Sequence, residues 1–273
     1  MPLRKSIQKK PALSFFILTF FLSWSGALAL VFNKLIHRQP ISKMDGILMF
    51  PIMILGPVIA SMVLNALTGG RKAVRDVFAS MNPQKIRKPW LMVLLIPPLT
   101  ILLALLVLTK TVSAAFAPGS FWLGFSFGIL AGILEEIGWM GFAFPNLIRN
   151  RTALSGSMIL GLIWCIWHLP VINFLGTASP HGEFFLVYFL SFTAVMMAIR
   201  VIIAWIYQNT NSLLLCQLMH ISSTGFLVVF SPSPITTAQE PVWYFAYALA
   251  LWTIVVFIVF RYGKNLNGRK VVG

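Results

Sequence analysis

Eight apolar runs of about twenty residues each constrain the fold of this chain more than any other feature. They occupy residues 13–32, 47–67, 90–109, 121–144, 153–174, 184–207, 213–230 and 242–260. As a helix, each run is long enough to cross a hydrocarbon core of about 30 Å at about 1.5 Å per residue. A chain inside a bilayer must satisfy its backbone hydrogen bonds internally, and runs of this length exclude barrel strands. We therefore predict a bundle of about eight transmembrane helices.

The composition supports this class of protein. Hydrophobic residues make up 58% of the 273 residues and charged residues only 10%, whereas soluble domains carry about 25% charged residues. The net charge of +15 does not indicate nucleic acid, because Lys and Arg lie between the apolar runs rather than on one basic face. The connections are short, so we predict an all-α polytopic membrane protein with a single domain over residues 1–273 and a motif-bearing core at about 121–230. The expected partner is membrane lipid, and no nucleic acid.

The basic residues also predict an orientation. With a cytoplasmic N-terminus, sixteen Lys and Arg residues, including Arg269 and Lys270, fall on the cytoplasmic side and four on the other. This asymmetry fits an even number of spans with both termini cytoplasmic. The predicted loop at 69–89 is basic and should lie against anionic headgroups. No cleavable targeting peptide is evident, and we expect a multi-pass protein of a prokaryotic plasma membrane.

Four ionisable residues inside these runs predict a functional site. Glu135 and Glu136 stand side by side in the fourth run, His168 lies in the fifth and His220 in the seventh. Intramembrane carboxylates are costly, usually face a bundle interior or a wet cavity, and have a function there. Burying these groups separately would multiply the desolvation cost, so we expect them to gather inside the bundle. The alternative is a carboxyl pair held for packing and two histidines that are only structural.

Helical geometry makes this site more specific. Neighbouring Glu135 and Glu136 point about 100° apart on a helix, so one should face the histidines and the other a second partner. His220 and Thr224 are four residues apart and share a helical face. A carboxylate and an imidazole can deprotonate a water, and a second imidazole with a hydroxyl can stabilise an oxyanion. Glu135, His168 and His220 could instead bind a divalent metal such as zinc, although no local spacing such as HExxH supports it.

Three short motifs, in chain order, resemble those of a known family. The letters EEIGWM from Glu135, WCIWH ending at His168, and HISST from His220 to Thr224 resemble the patterns EExxxR, FxxxH and HxxxN. These are the motifs of the CPBP family, the CAAX-type and bacteriocin-processing intramembrane proteases also called Abi, which are related to the Ras-converting CAAX prenyl endopeptidase. The resemblance implies an intramembrane endopeptidase acting on a membrane-associated or lipidated peptide.

The resemblance also implies roles for single residues. Glu135 and His168 would activate the attacking water, His220 and Thr224 would stabilise the oxyanion, and Glu136 would orient its neighbours. The family is often labelled metalloprotease, but a metal-independent glutamate mechanism is also argued for its relatives. Both a divalent metal and no cofactor therefore stay open.

The chain departs from these motifs at three positions. Met140 stands where the first motif has Arg, Trp164 replaces Phe in the second, and Thr224 replaces Asn in the third. Trp keeps an aromatic wall and Thr keeps a hydrogen-bond donor, although a shorter one. Met140 removes a fixed positive charge and five donors, and Met cannot hold a carboxylate in place. Arg149, beyond the run, and Arg200, in another span, are the cations that could compensate in space.

The departures leave other hypotheses open. The main alternative is a catalytically weak or inactive member that binds a membrane peptide, for example as a bacteriocin-immunity protein. Intramembrane Glu and His also fit a transporter or proton relay, but the clear inverted halves of such proteins are lacking. A cysteine protease with Cys165 as nucleophile is disfavoured because an apolar stretch does not stabilise a thiolate. Cys165 and Cys216 have no metal-ligand spacing, and His37 and His181 fall in predicted loops.

Overall fold

The computed structural model describes residues 2–268, and within that range it consists of helices, turns and loops without a β-strand. The predicted all-α fold is therefore confirmed. Arg269 and Lys270, which contributed to the predicted orientation, lie outside the described residues. The α-helices of the described chain are α1 (Pro2–Lys9), α2 (Pro11–Ile36), α3 (Lys43–Met53), α4 (Leu55–Ala79), α5 (Ile96–Thr111), α6 (Phe125–Gly138), α7 (Phe144–Leu147), α8 (Ala153–Trp167), α9 (Leu169–Ile172), α10 (Phe185–Thr210), α11 (Leu213–Phe230) and α12 (Gln239–Tyr262).

Several tighter or wider turns extend these helices. Short 3-10 segments cover Pro83–Lys85, Lys88–Leu95, Ala114–Phe116, Trp122–Gly124, Ile148–Asn150 and Gly182–Phe184. One π-helical turn, Trp139–Ala143, directly follows α6. Single π-helical turns inside a helix occur frequently at functional sites. This one lies immediately after Glu135 and Glu136.

Seven helical segments of the described chain are long and apolar enough to cross a membrane, which confirms a multi-pass membrane protein. They are Pro11–Ile36, Lys43–Ala79, Lys88–Thr111, Trp122–Asn150, Gly182–Thr210, Leu213–Phe230 and Gln239–Tyr262. The remaining apolar run, at 153–174, differs from its prediction because it is not one continuous span. Its main helix, α8, has 15 residues and covers about 22 Å. The helix stops before Pro170, which lacks an N–H and whose ring would clash with the carbonyl of the residue four positions earlier.

The prediction of a loop at 69–89 is wrong for the first half of that range, which is helical. α4 continues to Ala79, with one break at Gly70, where φ is 66° and ψ is −161°. A positive φ is readily adopted only by glycine, so Gly70 allows the chain to change direction and then resume the helix. Beyond the break, Arg71 and Arg75 are exposed while Val77 is buried. The basic segment is therefore a short helix with one apolar face.

Close helix packing determines where the ionisable groups meet. α6 packs along α11, and α10 packs against both α8 and α12. Gly128 and Gly132 are one turn apart on α6, and a Cβ at Gly132 would come within 2.7 Å of the Gln217 carbonyl oxygen on α11. Small residues four apart allow two membrane helices to approach this closely. The Gln217 side chain also donates to the Ile133 carbonyl at 2.7 Å, which fixes the register of α6 against α11.

Candidate active site

Glu135 is the carboxylate that faces the interior cavity of the bundle. Its side chain is buried at the C-terminal end of α6. Oε2 accepts hydrogen bonds from the indole N–H groups of Trp164 at 2.8 Å and Trp139 at 3.2 Å. Oε1 has no hydrogen-bond partner among residues 2–268. One carboxylate oxygen is thus anchored, and the other is buried at the cavity lining without a hydrogen bond in the described protein.

His168 takes its position from the end of α8. Its backbone N–H bonds to the Cys165 carbonyl rather than to the Trp164 carbonyl, because the helix closes with a tighter turn. The Trp164 carbonyl is thereby left for the side chain, and His168 Nδ1 lies 2.8 Å from it. Since a carbonyl can only accept, Nδ1 carries the proton. In the neutral ring, Nε2 is then the basic nitrogen.

Glu136 points away from Glu135 and binds two basic side chains. His220 Nδ1 lies 2.7 Å from Glu136 Oε1, and Arg200 Nη1 lies 2.7 Å from the same oxygen. Arg200 Nη1 also lies 2.8 Å from Oε2. All three side chains are buried, with exposures of 1% or less. Burial makes these charged hydrogen bonds strong and makes the loss of either partner costly.

Trp164 connects these two carboxylate sites. The Arg200 guanidinium lies over its ring at 3.9 Å from the centroid. The rings of His168 and His220 contact it edge-on, with centroid distances of 5.3 Å and 5.2 Å. One indole therefore contacts both imidazoles, the arginine and Glu135. We attribute the mutual orientation of these groups in part to this single rigid side chain.

A cavity of about 760 Å³ joins the groups that the sequence predicted to gather. Glu135, His168, His220 and Thr224 all line it, whereas Glu136 lies behind His220. Its walls are largely apolar, and its lining includes Phe127, Ala131, Phe192, Met196, Leu227, Val228, Tyr244 and, toward the loops, Lys43, Phe174, Gly176, Thr177 and Ser231. The structure therefore brings four of the five predicted site residues to one chamber and places the fifth directly behind it.

Arg200 is a site residue that the sequence indicates only as one of two possible substitutes for the missing motif arginine. Its only sequence signal is a cation in the middle of an apolar run, and a buried cation in a membrane normally needs a partner. The partner, Glu136, is 64 residues away in the chain. Of the two arginines considered as substitutes for the missing motif residue, Arg200 reaches Glu136, while Arg149 is exposed in the turn after α7.

The donor set does not fit a metal centre. Among the described residues, no three His, Cys, Asp or Glu side chains are arranged to share one ion. His220 and His168 each use Nδ1 for a partner inside the protein and Glu135 uses Oε2 for two indoles, which leaves the two Nε2 atoms and Glu135 Oε1 as the free donors of these side chains, and they are not placed to share an ion. The alternative of a zinc site at Glu135, His168 and His220 therefore gains no support from this arrangement, and we assign no step to a metal.

Comparison with known proteins places the same segment in a family. The sequence profile described as "Type II CAAX prenyl endopeptidase Rce1-like" matches residues 116–226, which contain all three motifs. The chain is also 28% identical over 225 residues to CAAX prenyl protease 2 of Methanococcus maripaludis, covering 76% of this chain and 79% of that protein. Both matches are to CAAX-type prenyl endopeptidases, the kind of protein whose motifs this chain resembles. The resemblance identified from the motifs is thus confirmed.

Two of the departures from the CPBP motifs have structural counterparts in this chain. Trp164, in the phenylalanine position, adds an N–H that bonds Glu135, which phenylalanine could not do. Met140 is fully buried in the π-helical turn, four residues after Glu136. The family's arginine would lie there, one turn from Glu136 on the same helix. Here the cation comes from α10 instead, as Arg200.

Proposed function

We propose that this protein is an intramembrane endopeptidase that hydrolyses a peptide bond in a membrane-associated or lipidated peptide. The observation that carries the proposal is the unpartnered Oε1 of Glu135, which belongs to a cavity shared with His168 and His220. The largely apolar walls suit a lipid chain or apolar side chains of a peptide. The name of the Methanococcus relative, a CAAX prenyl protease, supports a prenylated peptide as the substrate class.

The first step is the activation of water. In this mechanism a water molecule is held between Glu135 Oε1 and His168 Nε2. Glu135 takes a proton from it as the water oxygen attacks the carbonyl carbon of the scissile bond. The anchoring of Oε2 by Trp164 and Trp139 supports this role, because it fixes the direction in which Oε1 points.

The attack moves an electron pair to the carbonyl oxygen and creates an oxyanion. Thr224 donates its hydroxyl hydrogen to this oxygen, and His220 donates from Nε2 in its imidazolium form. The Glu136 carboxylate, bonded to Nδ1 of His220, stabilises that form. The Arg200 guanidinium balances the charge of Glu136, so the group of Glu135, Glu136, Arg200 and protonated His220 is neutral overall.

Collapse of the tetrahedral intermediate completes the hydrolysis. The carbon–nitrogen bond breaks as the carbonyl re-forms, and the proton held by Glu135 passes to the leaving amine. The products are a carboxylic acid on one fragment and an amine on the other, and transfer of the acid proton to the amine gives a carboxylate and an ammonium group. Every proton in this scheme is transferred by a residue of the cavity or by the water itself.

Glu135→Gln tests this proposal. The variant keeps the shape of the side chain but removes the base, so we expect kcat on a prenylated peptide to fall by at least about 100-fold. Glu183→Gln is the matched control, because Glu183 is exposed in the turn before α10 and does not line the cavity. Proteins reconstituted in liposomes would be compared by mass spectrometry of the cleaved peptide.

If Glu135→Gln cleaved the peptide at the wild-type rate, Glu135 would not be the catalytic base. Wild-type protein that binds the prenylated peptide but leaves it intact would favour the non-enzymatic alternative.

We further propose that both termini face the cytoplasm of a prokaryotic plasma membrane, with the distribution of Lys and Arg as support.

A further inference from the structure

A loop at residues 173–181, here called the wall loop, forms one side of the cavity. It follows α9 and ends just before the 3-10 turn Gly182–Phe184 that leads into α10. Phe174, Leu175, Gly176 and Thr177 contribute to the lining of the cavity. The groups proposed for catalysis lie on α6, on α11 and at the residue that follows α8, so the wall loop is a separate element. Its position determines how wide the chamber is at that side.

Glu240 holds the wall loop through a set of buried hydrogen bonds. It lies in the first turn of α12, and its side chain is fully buried. Oε1 accepts from the Thr177 backbone N–H at 2.8 Å, and Oε2 accepts from that of Ala178 at 2.9 Å. His181 Nε2 lies 3.1 Å from Oε2. Both oxygens of this carboxylate are therefore used by a single short loop.

The end of the loop is fixed as well. The ring of His181 stacks on Tyr188 of α10 at 3.6 Å between centroids, with an interplanar angle of 13°. The backbone N–H of His181 donates to the side-chain oxygen of Asn173 at 3.1 Å, which closes the loop on itself. His181 was placed in a loop by sequence analysis, and the structure shows that this loop residue is fully buried.

Lys43 and Gly176 also restrict the position of the wall loop. The Lys43 ammonium, at the start of α3, donates to the carbonyl oxygens of Gly176 at 3.0 Å and Thr177 at 3.3 Å. Gly176 has a φ of 87°, and a Cβ at this position would collide with Glu240 Oε1. The loop thus passes between a buried anion and a cation, in a conformation that only glycine adopts readily.

We propose that Glu240 is a positioning residue that holds the wall loop against the cavity and thereby determines which peptides fit. This inference rests on the proposed function, because it concerns binding of the peptide substrate. Glu240 makes no contact with Glu135, Glu136, His168 or His220 among its hydrogen bonds. Releasing the loop therefore weakens the apolar contacts of Phe174 and Leu175 with a peptide and leaves the hydrolytic groups in place.

Glu240→Gln tests the proposal, with Glu183→Gln as the matched control. The amide keeps the shape but presents an NH₂ group to donors that require an acceptor. We expect KM for the prenylated peptide to rise about tenfold, which corresponds to about 1.4 kcal/mol, with kcat within about threefold of wild type. Discrimination between peptides with small and bulky apolar side chains next to the scissile bond should weaken. Glu183→Gln should leave KM and this discrimination unchanged.

Gly176→Ala disturbs the same contact from the loop side, because its Cβ would collide with Glu240 Oε1. It should also raise KM. This second variant tests the proposal if Glu240→Gln does not fold. Binding of a fluorescent prenylated peptide is also measured with Glu135→Gln alone and combined with Glu240→Gln. Weaker binding in the combined variant supports the wall-loop proposal even if the chain proves not to cleave the peptide. Wild-type KM, binding and discrimination in a folded Glu240→Gln or Gly176→Ala protein would overturn it, as would a loss of kcat with KM unchanged.

Discussion

Replacement of Arg200 by methionine is the sharpest test of how the site is held together. Methionine is unbranched and flexible and tolerates apolar surroundings, but it is shorter than arginine and cannot donate to a carboxylate. The variant would leave Glu136 buried with His220 as its remaining side-chain partner among the described residues. It would also remove the guanidinium that lies 3.9 Å over the Trp164 ring. We therefore expect a lower free energy of unfolding and a less fixed orientation of the His220 ring.

The structure allows an estimate of the magnitude. Arg200 Nη1 contacts the two Glu136 oxygens at 2.7 Å and 2.8 Å, and neither side chain is exposed. Removing one partner of a buried ion pair costs about 3–5 kcal/mol, because the remaining charge is left uncompensated. An exposed substitution usually changes stability by less than about 0.5 kcal/mol. Arg75→Met, on the exposed face of α4, is therefore the matched control.

The assay is SDS-induced unfolding of the purified protein in lipid bicelles, with the free energy of unfolding compared between Arg200→Met and Arg75→Met. Peptide cleavage is measured in parallel, and we expect kcat of Arg200→Met to fall by at least about tenfold, the equivalent of about 1.4 kcal/mol in the barrier. Met140→Arg in the Arg200→Met background places a cation one helical turn from Glu136. It should recover part of both losses.

Two results would refute this reasoning. Arg200→Met and Arg75→Met could unfold at the same SDS concentration, which would mean that the ion pair contributes nothing to stability. Alternatively, Arg200→Met could be destabilised but cleave at the wild-type rate, which would remove Glu136 and Arg200 from any role in orienting His220.

Four further predictions concern the site and the topology. Trp164→Phe should lower kcat about tenfold, because it removes the 2.8 Å hydrogen bond to Glu135; unchanged kcat would show that this anchor is dispensable. Thr224→Asn, which supplies the longer donor of the family motif, should maintain or raise kcat, and a loss above tenfold would argue against an oxyanion contact. Cys165→Ala should retain full kcat, and its inactivation would restore the cysteine-protease alternative. Single cysteines at exposed Ser6 and Asn265, in a background without native cysteines, should both react with a membrane-impermeant maleimide only after the cytoplasmic side is opened; labelling on opposite sides would contradict the predicted even number of crossings.

Much of the architecture follows from local properties of the chain. Each apolar run is about long enough to cross a bilayer as a helix, and the structure places a long helix on seven of them. The run at 153–174 shows the limit of this reasoning. Its composition indicates one span, but Pro170 ends α8 early, and that same break presents His168 to the cavity. A hydropathy pattern does not record where a helix must stop.

The candidate site was also predictable in part, because its ionisable residues stand out within single apolar runs. Glu135, Glu136, His168 and His220 stand out because ionisable groups are costly in an apolar run, and the motif order connects them. Arg200 carries the same signal, but nothing along the chain indicates that its partner is Glu136. Glu240 and His181 gave no usable signal, since one follows a loop and the other lies within one. Their pairing depends on how α12 meets the wall loop.

The sequence by itself determined that this chain is a helical membrane protein with a carboxylate and imidazole site, because the cost of burying a charge and the length of a helix are properties of each segment. The tertiary structure alone decided which partner each buried charge has. Glu136 meets Arg200 and His220 across 64 and 84 residues of chain, at contacts set by the packing of α6 against α11 and of α10 beside them. Hydrogen bonds fall off within a few tenths of an ångström, so only this packing could determine them.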